Sequence, residues 1–203
     1  MKQSEPEALL FDVGNVLINV DFERVFAHWA HQAGADVADV RERFVVSREY
    51  EQHERGEIDA IRFFESLRHS LGIELSDDLF MEGWNAIFVG EVSGIRPLLE
   101  RACRQLPVYA FSNTSVAHQA VWPDRYSGLF DNFSGVFTSC DIGRRKPEPE
   151  AYIDVARRMG VAPDRILFFD DLLENVQAAR HLGMPSVLVE SIDDISGSLA
   201  SIL

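Results

Sequence analysis

A small set of side chains in this sequence has the types and placement to do chemistry together. Asp12 follows the apolar run Ala8-Leu9-Leu10-Phe11, and Asp170 and Asp171 follow Ile166-Leu167-Phe168-Phe169. Four consecutive apolar residues that stop at a turn signal read as a strand buried on both faces, the kind found inside a parallel sheet. The acids then stand at the carboxyl ends of strands, the edge where open α/β sheets bind ligands. Taken alone, Asp12 is a turn residue that ends its strand. Two adjacent carboxylates at a second strand end need a further reason, because like charges repel. Asp171 has a structural one: it can cap a helix starting at Leu172, with Glu174 completing a capping box. Asp170 has no such role. The cluster Ser112-Asn113-Thr114-Ser115 ends another apolar run and can hold an anion where the next helix begins. Lys146 precedes Pro147 at the entrance of a further helix, facing the same edge. An all-oxygen set from Asp12, Asp170 and Asp171 suits Mg²⁺ rather than zinc. Ser112, Asn113 and Lys146 would surround a phosphate, and a carboxylate beside a metal and a phosphate can attack phosphorus and form an aspartyl-phosphate.

The elements that must position these residues follow from pattern. After Val89 strands and helices alternate: a helix over 95–103, strands over 108–111 and 136–138, a helix with the apolar stripe Tyr152, Val155, Ala156 and Met159, a strand within 165–169 and a last one over 186–189. Alternation of this kind gives parallel strands joined by right-handed crossovers, a doubly wound sheet. Between residues 21 and 89 the pattern is helical. Phe22, Val25, Phe26 and Trp29 form one stripe ended by Gly34. Ala60, Phe63, Phe64, Leu67 and Leu71 form a second ended by Gly72, and Ser76 caps a third that carries Phe80, Trp84, Ile87 and Phe88 inward. No strand is expected there, and residues 52–57, His53 to Glu57 among them, read as a polar loop. The expected fold class is α/β, a doubly wound parallel sheet formed by 1–18 and 90–203, with a small inserted helical subdomain over 19–89.

Composition sets outer bounds. The 203 residues, 46% hydrophobic, can bury a real core. A net charge of -14 argues against nucleic acid as a partner, since that affinity rests on clustered Lys and Arg. Cys103 and Cys140 lack metal-ligand spacing and read as free buried thiols. The start of the chain lacks the apolar stretch of a signal peptide, and no segment reaches the roughly 20 apolar residues of a membrane helix. A cytoplasmic location, no membrane partner, and a monomer or weak homodimer are expected.

The order and spacing of these motifs resemble the haloacid dehalogenase (HAD) superfamily. The resemblance rests on Asp12-Val13-Gly14-Asn15-Val16, Ser112-Asn113-Thr114, Lys146-Pro147, and Asp170-Asp171 with Asn175, and it covers essentially the full length. The segment over 19–89 then resembles the family's helical cap. The first motif together with His53-Glu54-Arg55-Gly56-Glu57 resembles, more narrowly, the bacterial α-D-glucose-1-phosphate phosphatase subgroup. The resemblance implies Asp12 as nucleophile, Ser112 and Lys146 on the phosphoryl oxygens, Asn113 and the cap residue Arg55 in substrate binding, and Mg²⁺ held by Asp12, the Gly14 carbonyl and Asp170, with Asp171 directly or through water. It implies a phosphatase acting on a small phosphorylated metabolite, such as a sugar 1-phosphate. One departure is Gly14: most phosphatases of the family carry a second acid there. A sugar 1-phosphate, whose anomeric oxygen is a less basic leaving group, would need that acid less, and His53 and Glu54 are the first places to look for a substitute. Gly14 also keeps open a metal-independent 2-haloacid dehalogenase, against which the Asp170-Asp171 pair argues, and a catalytically silent phosphate-binding module.

Overall fold

A computed structural model describes residues 5–200 and 202; residues 1–4, part of the stretch read above for a targeting signal, lie outside the described residues. Strand β1 (Ala8–Phe11) is followed by β2 (Ile18–Val20), then by helices α1 (Phe22–Ala33), α2 (Val37–Arg43), α3 (Arg48–Glu54), α4 (Ala60–Leu71) and α5 (Asp77–Asn85), and by β3 (Phe88–Glu91). Helices and strands then alternate. They are α6 (Ile95–Cys103), β4 (Val108–Ser112), the short α7 (Val116–Gln119) and α8 (Trp122–Arg125), β5 (Gly135–Thr138), α9 (Ser139–Ile142), α10 (Pro149–Met159), β6 (Ile166–Asp170), α11 (Leu173–His181), β7 (Ser186–Leu188) and α12 (Ile192–Ala200).

The main sheet runs β5-β4-β1-β6-β7, with every pairing parallel. Side chains along β1 alternate between two hydrophobic clusters: Leu9 and Phe11 pack on one face, Ala8 and Leu10 on the other. That double burial is why the strand reads as a continuous apolar run. In register, Phe11 faces Ala110 on one side and Phe169 on the other. The residues that follow these strands therefore emerge together at one edge.

The helical segment departs from expectation in two places. β2 and β3 pair antiparallel in a two-stranded ribbon that brackets the helices, where no strand was expected. Residues 48–54 form helix α3, so His53 and Glu54 lie on a helix rather than in a loop. The heptapeptide of α3 has too few apolar residues to show a period. It is set instead by its Ser47 cap, whose hydroxyl accepts from the Tyr50 amide, and by Tyr50 and His53 packing edge-on and face-on against Phe63. Trp84 is the centre of this segment, with Phe22, Trp29, Tyr50 and Phe63 around it. From α7, His118 stacks on Trp84 with ring centroids 4.6 Å apart, joining the helices to the main sheet.

Candidate active site

Asp12 leaves β1 with its amide bonded to the Phe169 carbonyl at 2.8 Å, which fixes the carboxylate over the centre of the sheet edge. Lys146, 1% exposed, reaches it from the loop before α10. Its ammonium has three protons to give and meets three acceptors: Asp12 Oδ1 at 2.5 Å, Asp170 Oδ2 at 2.7 Å and the Phe111 carbonyl at 2.9 Å. Burial pulls the Lys146 pKa down, but Asp12 and Asp170 together hold it above its ordinary value, so the cation stays charged. The Asp12 carboxyl is pushed up, first by burial and then by repulsion from Asp170 and Asp171, with Lys146 opposing.

The two adjacent acids exchange the roles read from sequence. It is Asp170 that ties down the start of α11: Oδ1 accepts from the Leu172 amide and from Asn175 Nδ2, both at 2.9 Å. Asp171 does not cap that helix, which starts at Leu173 with Leu172 as its cap residue. Asp171 Oδ2 accepts instead from Asn15 Nδ2 at 3.1 Å, and its pKa is raised by burial and by Asp170. Asn15 holds a left-handed backbone, φ 52°, which asparagine tolerates better than most residues. Its Oδ1 also accepts from the Val20 amide, so it fastens the loop after β1 to the ribbon.

Asn113 grips the lysine loop by both ends of its amide, accepting from the Lys146 amide and donating to the Lys146 carbonyl, each at 2.8 Å. Its side chain therefore positions Lys146. Ser112, buried at the end of β4, and the following amides form the wall beside Asp12. All of these except Asp170 line a cavity of about 670 Å³. The far side of that cavity is built by Phe22, Trp84, Phe88 and Trp122, with Tyr50, Glu54 and His118 among them.

Arg55 is not brought to this cavity. Its guanidinium bonds Glu148 at 2.8 Å through Nε and also pairs with Glu51, tying α3 to the loop before α10. The arginine that lines the cavity is Arg145, with Nε 2.7 Å from Glu54 Oε2. Sequence reasoning passed over it, although Arg144-Arg145-Lys146 is a cationic run in a strongly acidic chain. Tyr50, His118 and Arg145 are among the lining residues it missed, with Glu51 and Trp122.

Asp12 and Asp170 share the Lys146 ammonium, Asp171 follows Asp170 at the same edge, and every candidate donor is oxygen, the kind that suits Mg²⁺. Among the described residues no three His, Cys, Asp or Glu side chains are grouped so as to hold a metal ion by themselves. Mg²⁺ does not require such a group, since it is commonly held by one or two carboxylates with water and substrate phosphate completing the shell.

The family model of haloacid dehalogenase-like hydrolases matches residues 6–183. The chain belongs to this family. A HAD family enzyme of Bacteroides thetaiotaomicron, solved in complex with magnesium and inorganic phosphate, matches with a TM-score of 0.80 at 28% identity, covering 92% of this chain and 95% of that one. D-ribitol-5-phosphate phosphatase of the same species is 24% identical over 207 residues, covering 96% of this chain and 97% of its own. Flavin mononucleotide hydrolase 1 of Arabidopsis thaliana is 31% identical over 112 residues, 55% of this chain and 45% of that protein. The chain spans about half the length of the first curated relatives it matches.

Proposed function

We propose that this HAD-family chain is a Mg²⁺-dependent phosphatase of small phosphorylated metabolites, with sugar phosphates, and sugar 1-phosphates among them, as the substrate class. The observation that carries the reading is the Lys146 ammonium shared between Asp12 and Asp170 at the centre of the sheet edge, beside Ser112. Asp12 attacks phosphorus as the nucleophile, and water then hydrolyses the aspartyl-phosphate. Lys146 holds the Asp12 carboxylate in place and supplies a fixed positive charge for the phosphoryl oxygens, while the Ser112 hydroxyl donates a hydrogen bond to them. Asp12, the Gly14 carbonyl, Asp170 and Asp171 would hold Mg²⁺, which when bound neutralises charge on the transferring group. Residues 19–89 act as a cap over a core made of 1–18 and 90–203, and its aromatic wall receives the organic part of the substrate. The cap's ion pairs, Arg55 with Glu148 and Arg145 with Glu54, hold it closed over the cavity.

Phosphate release from a panel of sugar 1-phosphates, sugar 6-phosphates and polyol phosphates tests this directly. Turnover with Mg²⁺ that EDTA abolishes is expected for at least one class, and Asp12→Asn should remove it while leaving the circular dichroism spectrum unchanged. Turnover that persists in EDTA, or in Asp12→Asn, would refute the mechanism.

A further inference from the structure

Cleaving a phosphate monoester requires a proton for the departing oxygen and a base for the incoming water. In a displacement in line with Asp12 the departing oxygen leaves on the far side of phosphorus, toward the helices that wall the cavity. Residue 14, beside Asp12, supplies no group for this. Neither backbone nor space demands glycine there, since a Cβ would meet only Val20 Cγ2 at 3.7 Å and Asp12 Oδ2 at 3.8 Å.

Most polar groups around the cavity are already engaged or open to solvent. Lys146 has given all three protons, His118 Nε2 meets the Trp84 carbonyl at 3.0 Å, Asp171 accepts from Asn15, Glu51 pairs with Arg55 and Arg145, and Glu174 is exposed. Glu54 is engaged as well, but it is a buried carboxyl on the helical wall, where the departing oxygen leaves. It lines the cavity from the last turn of α3 while only 6% exposed, and its carboxyl is held by Arg145 Nε at 2.7 Å and by the Tyr50 hydroxyl.

Resting on the phosphatase reading above, the geometry points to Glu54 as the acid and base of both half-reactions. In the first, Asp12 forms its bond to phosphorus, the ester P–O bond breaks, and the departing oxygen takes the proton of the Glu54 carboxyl. In the second, water attacks the aspartyl-phosphate and gives a proton to the Glu54 carboxylate. The P–O bond to Asp12 then breaks, which returns Asp12 as carboxylate, Glu54 as acid and phosphate as product. Burial raises the Glu54 carboxyl above its ordinary value against the opposing effect of Arg145 and Tyr50, the direction that favours the protonated form. Arg145 and Tyr50 then stabilise the carboxylate left behind, and Tyr50 keeps its own proton because burial raises its pKa.

The test is the dependence of the Mg²⁺ enzyme on leaving-group basicity. Single-turnover rates are measured for p-nitrophenyl phosphate and for an alkyl or sugar phosphate, in wild type and in Glu54→Gln, whose amide keeps an acceptor for Arg145. Loss of an acid should cost the alkyl ester about 10²–10⁴-fold and p-nitrophenyl phosphate, which leaves without a proton, only a few-fold. Gly14→Asp added to Glu54→Gln should restore part of the alkyl rate. If Glu54→Gln does not fold, Glu54→Asp, which withdraws the carboxyl by one methylene, should show the same split in smaller measure. Equal losses on both esters, or none, would make Glu54 only a tie between α3 and the loop before α10 and overturn the assignment. A wild type that hydrolyses neither ester would instead overthrow the phosphatase reading, and the assignment with it.

Discussion

Asp170 is fully buried, and its two oxygens accept from Lys146, the Leu172 amide and Asn175. Repulsion from Asp171 is the cost of its position, but these three donors outweigh it. Asp170→Ala would leave a buried ammonium with one carboxylate partner in place of two and strip the start of α11 of its acceptor. Removing one partner of a buried pair typically costs about 3–5 kcal/mol. Urea unfolding in EDTA, where metal loss cannot contribute, should show a loss of that order; a variant as stable as wild type would mean that repulsion between the adjacent acids had cancelled the hydrogen bonds. The sequence could show that Asp170 and Asp171 were unusual neighbours. It could not show which of them faced Lys146, because strand and loop side chains alternate in direction and the turn after β6 sets that alternation.

At the scale of elements, legibility followed periodicity. β1, β4 and β6 announce themselves because double burial makes them continuously apolar, and α1, α4 and α5 because their stripes keep helical spacing between a cap and a glycine or turn. Helix α3 and the β2–β3 ribbon were not legible. The first is polar on most sides and the second is three or four residues long, so tertiary contacts decide both. The same contacts decided that Arg145 and not Arg55 would face the cavity. Gly83 shows how close those contacts are: a Cβ there would lie 2.2 Å from Trp29 Nε1. In an exposed helix Gly→Ala stabilises by up to about 1 kcal/mol. In α5, Gly83→Ala must push α1 away, so a net loss of about 1–3 kcal/mol is expected, read as a fall in Tm of roughly 2–4 °C per kcal/mol. An unchanged or higher Tm would show that α1 and α5 can slide apart freely.

The stack of His118 on Trp84 joins those helices to the main sheet and gives the joint a pH dependence. Burial is the main cause that lowers the His118 pKa from its ordinary 6.5 to about 4, with the Trp84 carbonyl opposing it. Above pH 6.5 both folded and unfolded chains hold this ring neutral, so it contributes no slope. Between 6.5 and about 4 the unfolded chain takes up a proton that the folded chain refuses, and stability falls, by roughly 3 kcal/mol over the whole interval. Below that interval the contribution is flat. His118→Gln, which can still donate to the Trp84 carbonyl, should flatten this part of the acid limb in a stability–pH series. An identical slope in the variant would assign it to other groups.

For the whole molecule the dominant fact is a net charge of -14, which opposes compaction and repels an anionic substrate. The fold answers by burying Lys146 against the strand-end carboxylates, yet three acids against one ammonium leave that edge short of positive charge. Two responses to added salt are therefore expected, and they can be separated. NaCl raised from about 10 mM to about 150 mM shortens the screening length from about 30 Å to about 8 Å, so self-repulsion weakens and Tm should rise. MgCl₂ at matched ionic strength should raise it further, because an ion that binds the folded chain alone adds about 2.7 kcal/mol at a hundred times its Kd, roughly 5–10 °C for a chain of this size. Asp12→Asn removes one of the three carboxylates and should shrink the magnesium increment while leaving the sodium response nearly intact. A calorimetric scan reads all of this without any substrate. Equal gains from the two salts at matched ionic strength would assign the whole effect to the diffuse field and leave the edge carboxylates with Lys146 as their only cation.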